Sequence, residues 1–378
     1  MDPIEWSDFP LPLIQVNPPA ISATNNILSV AYKNGVFSNS AEIHRKASSE
    51  LSKLFNDNLE GYLASSNTTG LTSCLLAVGI RGRHVLISNF TFAATLDAVV
   101  LAGGIPIVCD IDPESLVLDI EKVANALKNK DYDIAVVLPT RVFGFINDLS
   151  KLIAECNVYN VPVIVDAAAS LPSRRNSWNF ELYALYEVFS LHATKVFGIG
   201  EGGLVIGSPE LIEQIRERSN FGLTSDGSLK FKDGINAKAD EFTSARALAR
   251  LQEYSMDVDQ RQEFVKQYKA AFGTDSRVRM IEDSSETVYS YFPIIFENEN
   301  QLLDFQKAIS PFIMSRRYYF PTIQSGYIGD ASILFDTDLR NSESIAKRIL
   351  CLPVYVLYGE DVKNELRSLI SMTLGKIS

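Results

Sequence analysis

The chain has 378 residues, 46% hydrophobic and 21% charged, a balance typical of globular proteins and not of disordered, collagen-like or coiled-coil chains. At roughly 150 residues per domain, this length predicts two or three compact units. The net charge of −11 would repel nucleic acid and anionic membranes, so we expect neither as a partner.

The N-terminal segment carries five prolines in its first forty residues and little hydrophobic periodicity, which predicts an extended arm over residues 1–33. Its acidic start lacks the basic and apolar segments of a signal peptide. The longest apolar run, residues 98–109, is too short for a membrane span of about 20 residues. We therefore expect a cytoplasmic protein.

Residues 34–256 alternate short β-rich runs with amphipathic helical patterns, as expected for a parallel sheet covered by helices on both faces. The predicted strands, nearly continuous in Val, Ile and Leu, are residues 85–88, 105–108, 134–139, 161–165, 187–191 and 203–207. Helical spacing of apolar residues predicts helices near residues 211–215 and 242–251. This region is predicted to be the large domain.

Residues 257–378 predict a smaller α/β domain. A long helical stretch leads into a strand-like segment at 287–295, a helix near 301–309 and a basic aromatic segment at 316–321. The four cysteines lie far apart without a C-x-x-C pair, and no spacing of His, Asp and Cys indicates a metal site.

The first chemical cue is the segment Ser-Leu-His-Ala-Thr-Lys at 190–195, which follows a predicted strand. Open α/β sheets bind ligands at strand ends, and a desolvated Lys195 there can lose its proton and form a Schiff base. The alternative is an ordinary solvated lysine. Asp166 ends another strand, where it either caps a helix or keeps a pyridinium nitrogen protonated. Together the two residues indicate a pyridoxal phosphate site.

The second cue is Ser-Ser-Asn-Thr-Thr-Gly at 65–70, which precedes a helical run at 71–78. Hydroxyls and free N–H groups at a helix N-terminus can bind phosphate, although Ser66 or Asn67 could equally be a simple cap. Phe92 follows a strand and either covers a flat cofactor or belongs to the core. The Gly-rich run at 198–203 leads into a strand, which excludes a dinucleotide loop.

The histidines give a weaker signal. His192 is either a functional imidazole near Lys195 or a packed structural residue. His44 and His84 are predicted to be surface residues.

These segments, in this order, resemble the DegT/DnrJ/EryC1/StrS family of pyridoxal-phosphate-dependent sugar aminotransferases. The resemblance spans nearly the whole chain and implies the type I, aspartate aminotransferase-like fold: a mostly parallel seven-stranded sheet flanked by helices, with a smaller C-terminal α/β domain. The motifs that carry it lie at residues 65–70, 88–95, 102–113, 140–144, 163–169, 189–210, 234–242, 316–321 and 350–355.

The resemblance also implies roles for individual residues. Lys195 would hold the cofactor and later move a proton, Asp166 would pair with the pyridine nitrogen, and Phe92 would stack on the ring. The residues implied at the cofactor phosphate are Thr68, Thr69 and Ser190, and Asn67 is a further predicted cofactor-binding residue. Asn236 would reach the phosphate of a neighbouring subunit's cofactor, so that each site is completed in a homodimer.

The reaction implied is transfer of an amino group from L-glutamate to a nucleotide-linked keto-deoxy-sugar, with a lean toward a 4-keto-6-deoxyhexose. Three departures from the family pattern bear on the acceptor and the ring. Ala169 replaces a Gln or His near the ring, Arg141 replaces a His, and the Tyr-rich segment 180–186 replaces a Gly-Asp pair. A hydrogen bond near the ring hydroxyl is therefore absent or supplied elsewhere.

Three alternatives remain open at this point. One is a relative that removes a sugar hydroxyl with a histidine in place of the lysine, against which Lys195 argues. Another is an aminotransferase for amino acids, with Arg316 and Arg317 as candidate carboxylate clamps. The third is a regulatory or scaffold relative without transaminase activity, which Ala169 keeps open.

Overall fold

The computed structural model describes residues 2–55, 58–172, 185–273, 275–282, 284, 286–327 and 333–376. The helices of this described part are α1 Ile21–Asn34, α2 Glu42–Ser52, α3 Asn67–Val78, α4 Ala93–Leu101, α5 Ile120–Lys128, α6 Ser150–Val158, α7 Pro209–Arg218, α8 Glu241–Phe272, α9 Glu299–Ile309, α10 Ile323–Gly326, α11 Arg340–Arg348 and α12 Glu360–Leu374. The strands are β1 Glu60–Ala64, β2 His84–Ser88, β3 Ile105–Cys109, β4 Ile134–Leu138, β5 Ile164–Asp166, β6 Tyr186–Ser190, β7 Gly203–Gly207, β8 Val278–Met280, β9 Phe292–Phe296, β10 Leu334–Phe335 and β11 Ile349–Leu352.

A large sheet lies at the centre of the fold. Its two halves have the strand orders β1-β7-β6-β5 and β10-β3-β2-β4, and bridges between Val137 and Val163 and between Thr140 and Asp166 join β4 to β5. All neighbours are parallel except β7, which runs antiparallel to β1 and β6. The predicted mostly parallel, seven-stranded sheet is therefore confirmed, and the two-residue β10 adds a short strand at its edge.

The predicted strands of the large domain correspond to β2 to β7, with ends shifted by a few residues. The sequence prediction did not include β1, because Glu-Gly-Tyr-Leu-Ala lacks a run of β-branched residues. The glycine in it has a physical reason: a Cβ at Gly61 would lie 2.8 Å from the Ser48 carbonyl oxygen. Close packing of α2 against β1 thus requires glycine at position 61, and this glycine weakens the sequence pattern that would predict a strand.

Helices cover both faces of the large sheet, as the alternating pattern predicted. Apolar residues of α1, α2, α5, α6 and the first half of α8 pack on one face, and those of α3, α4 and α7 pack on the other. None of the helices in the described part of the chain combines the length and apolar character that a membrane crossing requires.

The prediction of an extended N-terminal arm is wrong for residues 21–34, which form α1. This helix buries Leu28 and Ala31 in the cluster that also contains residues of α8. Its sequence, rich in Asn and Ser, has weak helical propensity, so tertiary packing stabilises it. The residues before α1 are not helical: residues 6–10 form a turn and a bend, and single bridges join Ile4 to Tyr358 and Leu11 to Ile313.

The C-terminal unit is built on the antiparallel sheet β11-β9-β8, against which α9 and α11 pack. The 32-residue α8 continues across the predicted domain boundary at 256/257. Along this helix the packing changes: Tyr254 and Val258 belong to the core of the large sheet, and Phe264 and Tyr268 belong to the C-terminal core. The division into domains itself stays a prediction.

The prediction of a surface position is wrong for His44, a residue of α2 that is buried against β1. His84 is half-buried. The His44 Nε2 atom lies 2.8 Å from the Leu63 carbonyl oxygen. Burial lowers the pKa of His44 to about 4, so the imidazole is neutral in the folded protein at neutral pH.

Candidate active site

A cavity of about 370 Å³ lies at the carboxyl ends of the large-sheet strands, between the large sheet and the C-terminal unit. The predicted site residues on its walls are Asn67, Thr68, Phe92, Asp166, Ser190 and Lys195. The opposite wall comes mainly from the C-terminal unit and includes Ser290, Tyr291, Arg316, Tyr318 and Tyr319. The structure thus brings together segments that are far apart in the sequence.

Asp166 is the buried carboxylate of this cavity, at the end of β5. Its Oδ2 accepts a 2.7 Å hydrogen bond from Thr95 Oγ1, and its Oδ1 accepts from the Ala168 N–H at 3.2 Å and from Asn67 Nδ2 at 3.4 Å. Burial raises the pKa of Asp166, while the hydrogen bond from Thr95 and the charge of Lys195 oppose that rise. The carboxylate is therefore held in one orientation.

Lys195 faces the same cavity from the turn after β6. Burial lowers the pKa of Lys195, whereas the charge of Asp166 raises it. The turn requires a glycine after the lysine, because a Cβ at Gly198 would lie 2.5 Å from the Ala193 carbonyl oxygen. Because its pKa is lowered, Lys195 loses its proton more readily than a solvated lysine.

The N-terminus of α3 lies beside these two groups. Ser66 is the N-cap, and its side chain accepts from the Thr69 N–H while Thr69 Oγ1 accepts from the Ser66 N–H. The Thr69 hydroxyl therefore belongs to the capping box, and Thr69 does not line the cavity, whereas Thr68 does. Asn67 directs its amide to Asp166 and to the Val188 carbonyl oxygen at 3.1 Å. Of the predicted phosphate ligands on α3, Thr68 has the position that the prediction requires.

The remaining predicted residues occupy different places. Ser190 ends β6 with its Oγ accepting from the His192 N–H at 3.3 Å. Phe92 is the N-cap residue of α4 and lies on the cavity wall, 57% exposed. Asn236 is exposed and lies outside the cavity of its own chain. Its role toward a neighbouring subunit stays a prediction.

His192 lines the cavity and is not a packed core residue. Its Nδ1 lies 2.9 Å from Thr194 Oγ1, and its Nε2 lies 3.5 Å from Glu201 Oε1. The imidazole is therefore positioned beside Lys195 by a hydroxyl and a carboxylate.

A chain of three threonine hydroxyls was missed in the sequence. Thr95, which donates to Asp166, is 2.7 Å from the Thr91 hydroxyl, and Thr91 is 2.8 Å from the Thr140 hydroxyl. All three side chains are buried. Thr91 and Thr95 lie in the family-like segment 88–95, in which the sequence analysis assigned a role only to Phe92.

Arg141, the residue in place of the family's histidine, lines the cavity and is buried in an ion pair. Its Nη1 donates to both Glu187 carboxylate oxygens at 3.2 Å, and its Nη2 donates to the Asn147 carbonyl oxygen at 3.3 Å. Burial lowers the pKa of Arg141 and the charge of Glu187 raises it. The cavity wall that contains Ala169 thus also contains a buried guanidinium whose charge is paired with Glu187.

The cavity walls fit pyridoxal phosphate in the chemistry of their donors. Asp166 suits a protonated pyridine nitrogen, Lys195 suits the aldehyde, and Phe92 offers a ring face. The N-terminus of the 12-residue α3, with Thr68 and Ser190 beside it, suits the phosphate.

Comparison with known proteins agrees with this fit. The model of the DegT/DnrJ/EryC1/StrS aminotransferase family matches residues 28–368. The chain is 26% identical over 363 residues to a dTDP-4-amino-4,6-dideoxy-D-glucose transaminase of Shigella dysenteriae, covering 93% of this chain and 96% of that protein.

Solved structures show the same fold. DesI in the presence of its TDP-sugar product has a TM-score of 0.84 and 23% identity, covering 98% of this chain and 94% of that chain. NtdA from Bacillus subtilis with bound cofactor PMP has a TM-score of 0.79 and 23% identity, covering 94% of this chain and 82% of that chain. Pyridoxal phosphate is the cofactor that the donor set and the family require, and the chain belongs to the DegT/DnrJ/EryC1/StrS aminotransferase family.

Proposed function

We propose that the protein transfers an amino group from L-glutamate to the keto carbon of a nucleotide-linked keto-deoxy-sugar, for the synthesis of an amino sugar of surface polysaccharide. The observation that carries this proposal is that Lys195 and Asp166 face one cavity at the strand ends. The sugar class is supported by the Shigella relative, named for a dTDP-4-amino-4,6-dideoxyglucose, and by the TDP-sugar product of DesI. We take a 4-keto-6-deoxyhexose as the first acceptor to test.

Asp166 prepares the cavity for this reaction. When bound, pyridoxal phosphate supplies an electron-accepting ring that stabilises the charge left when the donor's α-carbon loses its proton. Asp166 holds the ring nitrogen protonated, and the hydrogen bond from Thr95 orients the carboxylate. The acidic side chain thereby sets how strongly the ring accepts electrons.

Lys195 performs the proton transfer. Because burial lowers its pKa, a larger fraction of Lys195 is the neutral amine that can accept a proton. With the cofactor bound, Lys195 would take the proton from the donor's α-carbon and pass it on to C4′, and the donor would leave as an α-keto acid without its amino group. In the second half of the cycle Lys195 moves a proton in the opposite direction, and the sugar leaves with the amine.

The remaining walls bind and orient. The α3 N-terminus with Thr68, together with Ser190, holds the phosphate, and Phe92 covers the ring and excludes water from it. Asn236 from a second copy of the chain completes the phosphate site in a homodimer; its exposed position outside its own cavity supports this assignment.

The test of the proposal is the Lys195→Ala substitution. We expect the visible absorbance of the cofactor bound through the lysine to be lost and turnover of labelled glutamate with a keto sugar to fall at least ~10³-fold, because no other base replaces the amine. Lys195→Arg keeps the charge without a free base and should be equally inactive. A Lys195→Ala protein that retains full turnover would contradict the assignment.

Shared sites predict subunit complementation. Lys195→Ala and Asn236→Ala proteins are each expected to have low activity, and a mixed dimer should regain one intact site with up to half of the wild-type activity per dimer. The measurement is turnover after the two inactive proteins are unfolded and refolded together. Activity that stays at the level of the separate variants would exclude a site shared in this way.

A further inference from the structure

Arg141 and Arg316 line the cavity, Arg317 follows Arg316 in the chain, and the partners of these arginines differ. Arg141 forms a salt bridge with Glu187. Arg317 lies outside the cavity walls, 2.6 Å from Glu299 and stacked on Phe320. Arg316 lines the cavity, and among the described residues no carboxylate lies within 4.0 Å of its guanidinium. The cavity therefore presents one guanidinium whose charge the described part of the chain does not neutralise.

The backbone of Arg316 is fixed. Its N–H donates to the Cys351 carbonyl oxygen at 3.1 Å and its carbonyl oxygen accepts from the Cys351 N–H at 2.8 Å, which attaches it to β11. The guanidinium carbon lies 4.5 Å from the centre of the Tyr318 ring. The Tyr318 hydroxyl is in turn 3.4 Å from the Tyr291 hydroxyl. The cation is thus positioned before any substrate enters.

We infer that Arg316 binds the α-carboxylate of the amino donor. The inference rests on the proposed function and names the substrate group that one residue of the site recognises. A planar guanidinium presents two parallel N–H donors that match a carboxylate.

The geometry favours a carboxylate over the nucleotide diphosphate as the anion. In an α-amino acid the carboxylate is bonded to the carbon from which Lys195 takes the proton, and Lys195 and Arg316 line the same 370 Å³ cavity. In a nucleotide-linked 4-keto sugar the diphosphate is carried at C1, across the sugar ring from the reacting carbon. Arg316 therefore acts in the half-reaction with the donor, and in the second half-reaction it faces a sugar with no charge near the reacting carbon.

The experiment compares the two half-reactions in Arg316→Met, with Arg317→Met as the matched control. In the first, L-glutamate converts the bound cofactor from its visible-absorbing aldehyde form to its amine form. We expect Arg316→Met to raise the glutamate concentration for half-maximal conversion roughly 10- to 100-fold, the effect of losing hydrogen bonds to a charged group. Arg316→Lys should recover part of this loss, and Arg317→Met should stay within about twofold of wild type.

The second half-reaction starts from the amine form and a keto sugar, and here Arg316→Met should resemble wild type. If this half-reaction is weakened as much as the first, the anion bound by Arg316 is the diphosphate and the inference is overturned. It is also overturned if glutamate conversion by Arg316→Met is unchanged.

Binding of succinate, a carboxylate that cannot react, gives a readout independent of turnover. Calorimetry on wild-type protein with and without cofactor should show binding that Arg316→Met weakens at least ~10-fold and Arg317→Met preserves. Equal succinate affinity in all three proteins would refute the inference. Arg316-dependent succinate binding without amino transfer in the wild type would support the carboxylate site while refuting the proposed function, so the two failures are distinguishable.

Discussion

Two pairs of opposite charges contribute to the cavity, and only one of them forms a salt bridge: Arg141, Asp166 and Lys195 line the cavity, and Glu187 lies behind Arg141. Arg141 and Glu187 contact each other directly, with both carboxylate oxygens 3.2 Å from one guanidinium nitrogen. Asp166 and Lys195 influence each other's charge, but Asp166 takes its hydrogen bonds from neutral donors, Thr95 first among them. Burial raises the pKa of Asp166 and lowers the pKa of Lys195.

The difference separates a structural pair from a reactive pair. A closed buried ion pair satisfies its own charges and resists removal of either member. When a buried acid and a buried amine form no salt bridge with each other, both remain able to act on a third group. Perturbed pKa values are typical of such sites. Substitutions of Asp166 or Lys195 should therefore lower the reaction rate, whereas substitutions that break the Arg141–Glu187 pair should lower the stability of the fold.

After Lys195→Ala, the largest effect is expected for Asp166→Asn. The amide is nearly isosteric with the carboxylate but cannot keep the ring nitrogen protonated, so the turnover number should fall roughly 10²- to 10³-fold, the range seen when one preorganised electrostatic group is removed. Steady-state kinetics measure the loss, and urea unfolding should show no comparable destabilisation, because a buried charge has been removed. An Asn variant as active as wild type would contradict the role of Asp166.

Glu187→Gln should show the reverse profile. It leaves the buried Arg141 charge without its carboxylate, which is expected to cost roughly 3–5 kcal/mol in the free energy of unfolding. The measurement is urea unfolding at neutral pH. The double substitution Arg141→Met with Glu187→Met removes both charges and should be clearly more stable than Glu187→Gln. A loss below about 1 kcal/mol in the single variant would mean that the pair is not a structural unit.

Much of the fold and the identity of both reactive groups could be predicted from sequence. Strands such as β3 and β4 are continuous apolar runs, and Lys195 and Asp166 each follow a strand. Both signals are local, because strand burial and the position of a strand end are visible in a short segment. The order of these local signals along the chain then carried the family resemblance.

The features that sequence reasoning missed depend on contacts between distant segments. The bond from Thr95 to Asp166 joins residues 71 positions apart, and the Arg141–Glu187 pair joins residues 46 apart. Helix α1 forms because it packs on α8, and Thr69 is drawn into a helix cap rather than the cavity wall. Helical spacing does not reveal which polar residue faces a strand, which is why His44 was placed on the surface.

The smallest effect is expected for Thr95→Val, which tests how far the reactive pair depends on its neutral neighbours. The substitution keeps the shape and removes the 2.7 Å hydrogen bond to Asp166 Oδ2. Because that bond lowers the pKa of Asp166 against the effect of burial, its loss should raise the pKa further. The ionised carboxylate is the active form, so the acidic limb of the rate against pH should move to higher pH, with about a tenfold loss of rate near its midpoint.

Thr95→Ser keeps the hydroxyl and should return the acidic limb to its wild-type position, which a purely packing role of Thr95 would not explain. The profile is measured as kcat between mildly acidic and neutral pH for the three proteins, with unfolding midpoints recorded at each pH to separate inactivation from unfolding. If the acidic limb of Thr95→Val coincides with that of wild type, the charge of Asp166 is set by Lys195 and the Ala168 N–H, and the reactive pair is less dependent on its neutral neighbours than the contacts of Thr95 indicate.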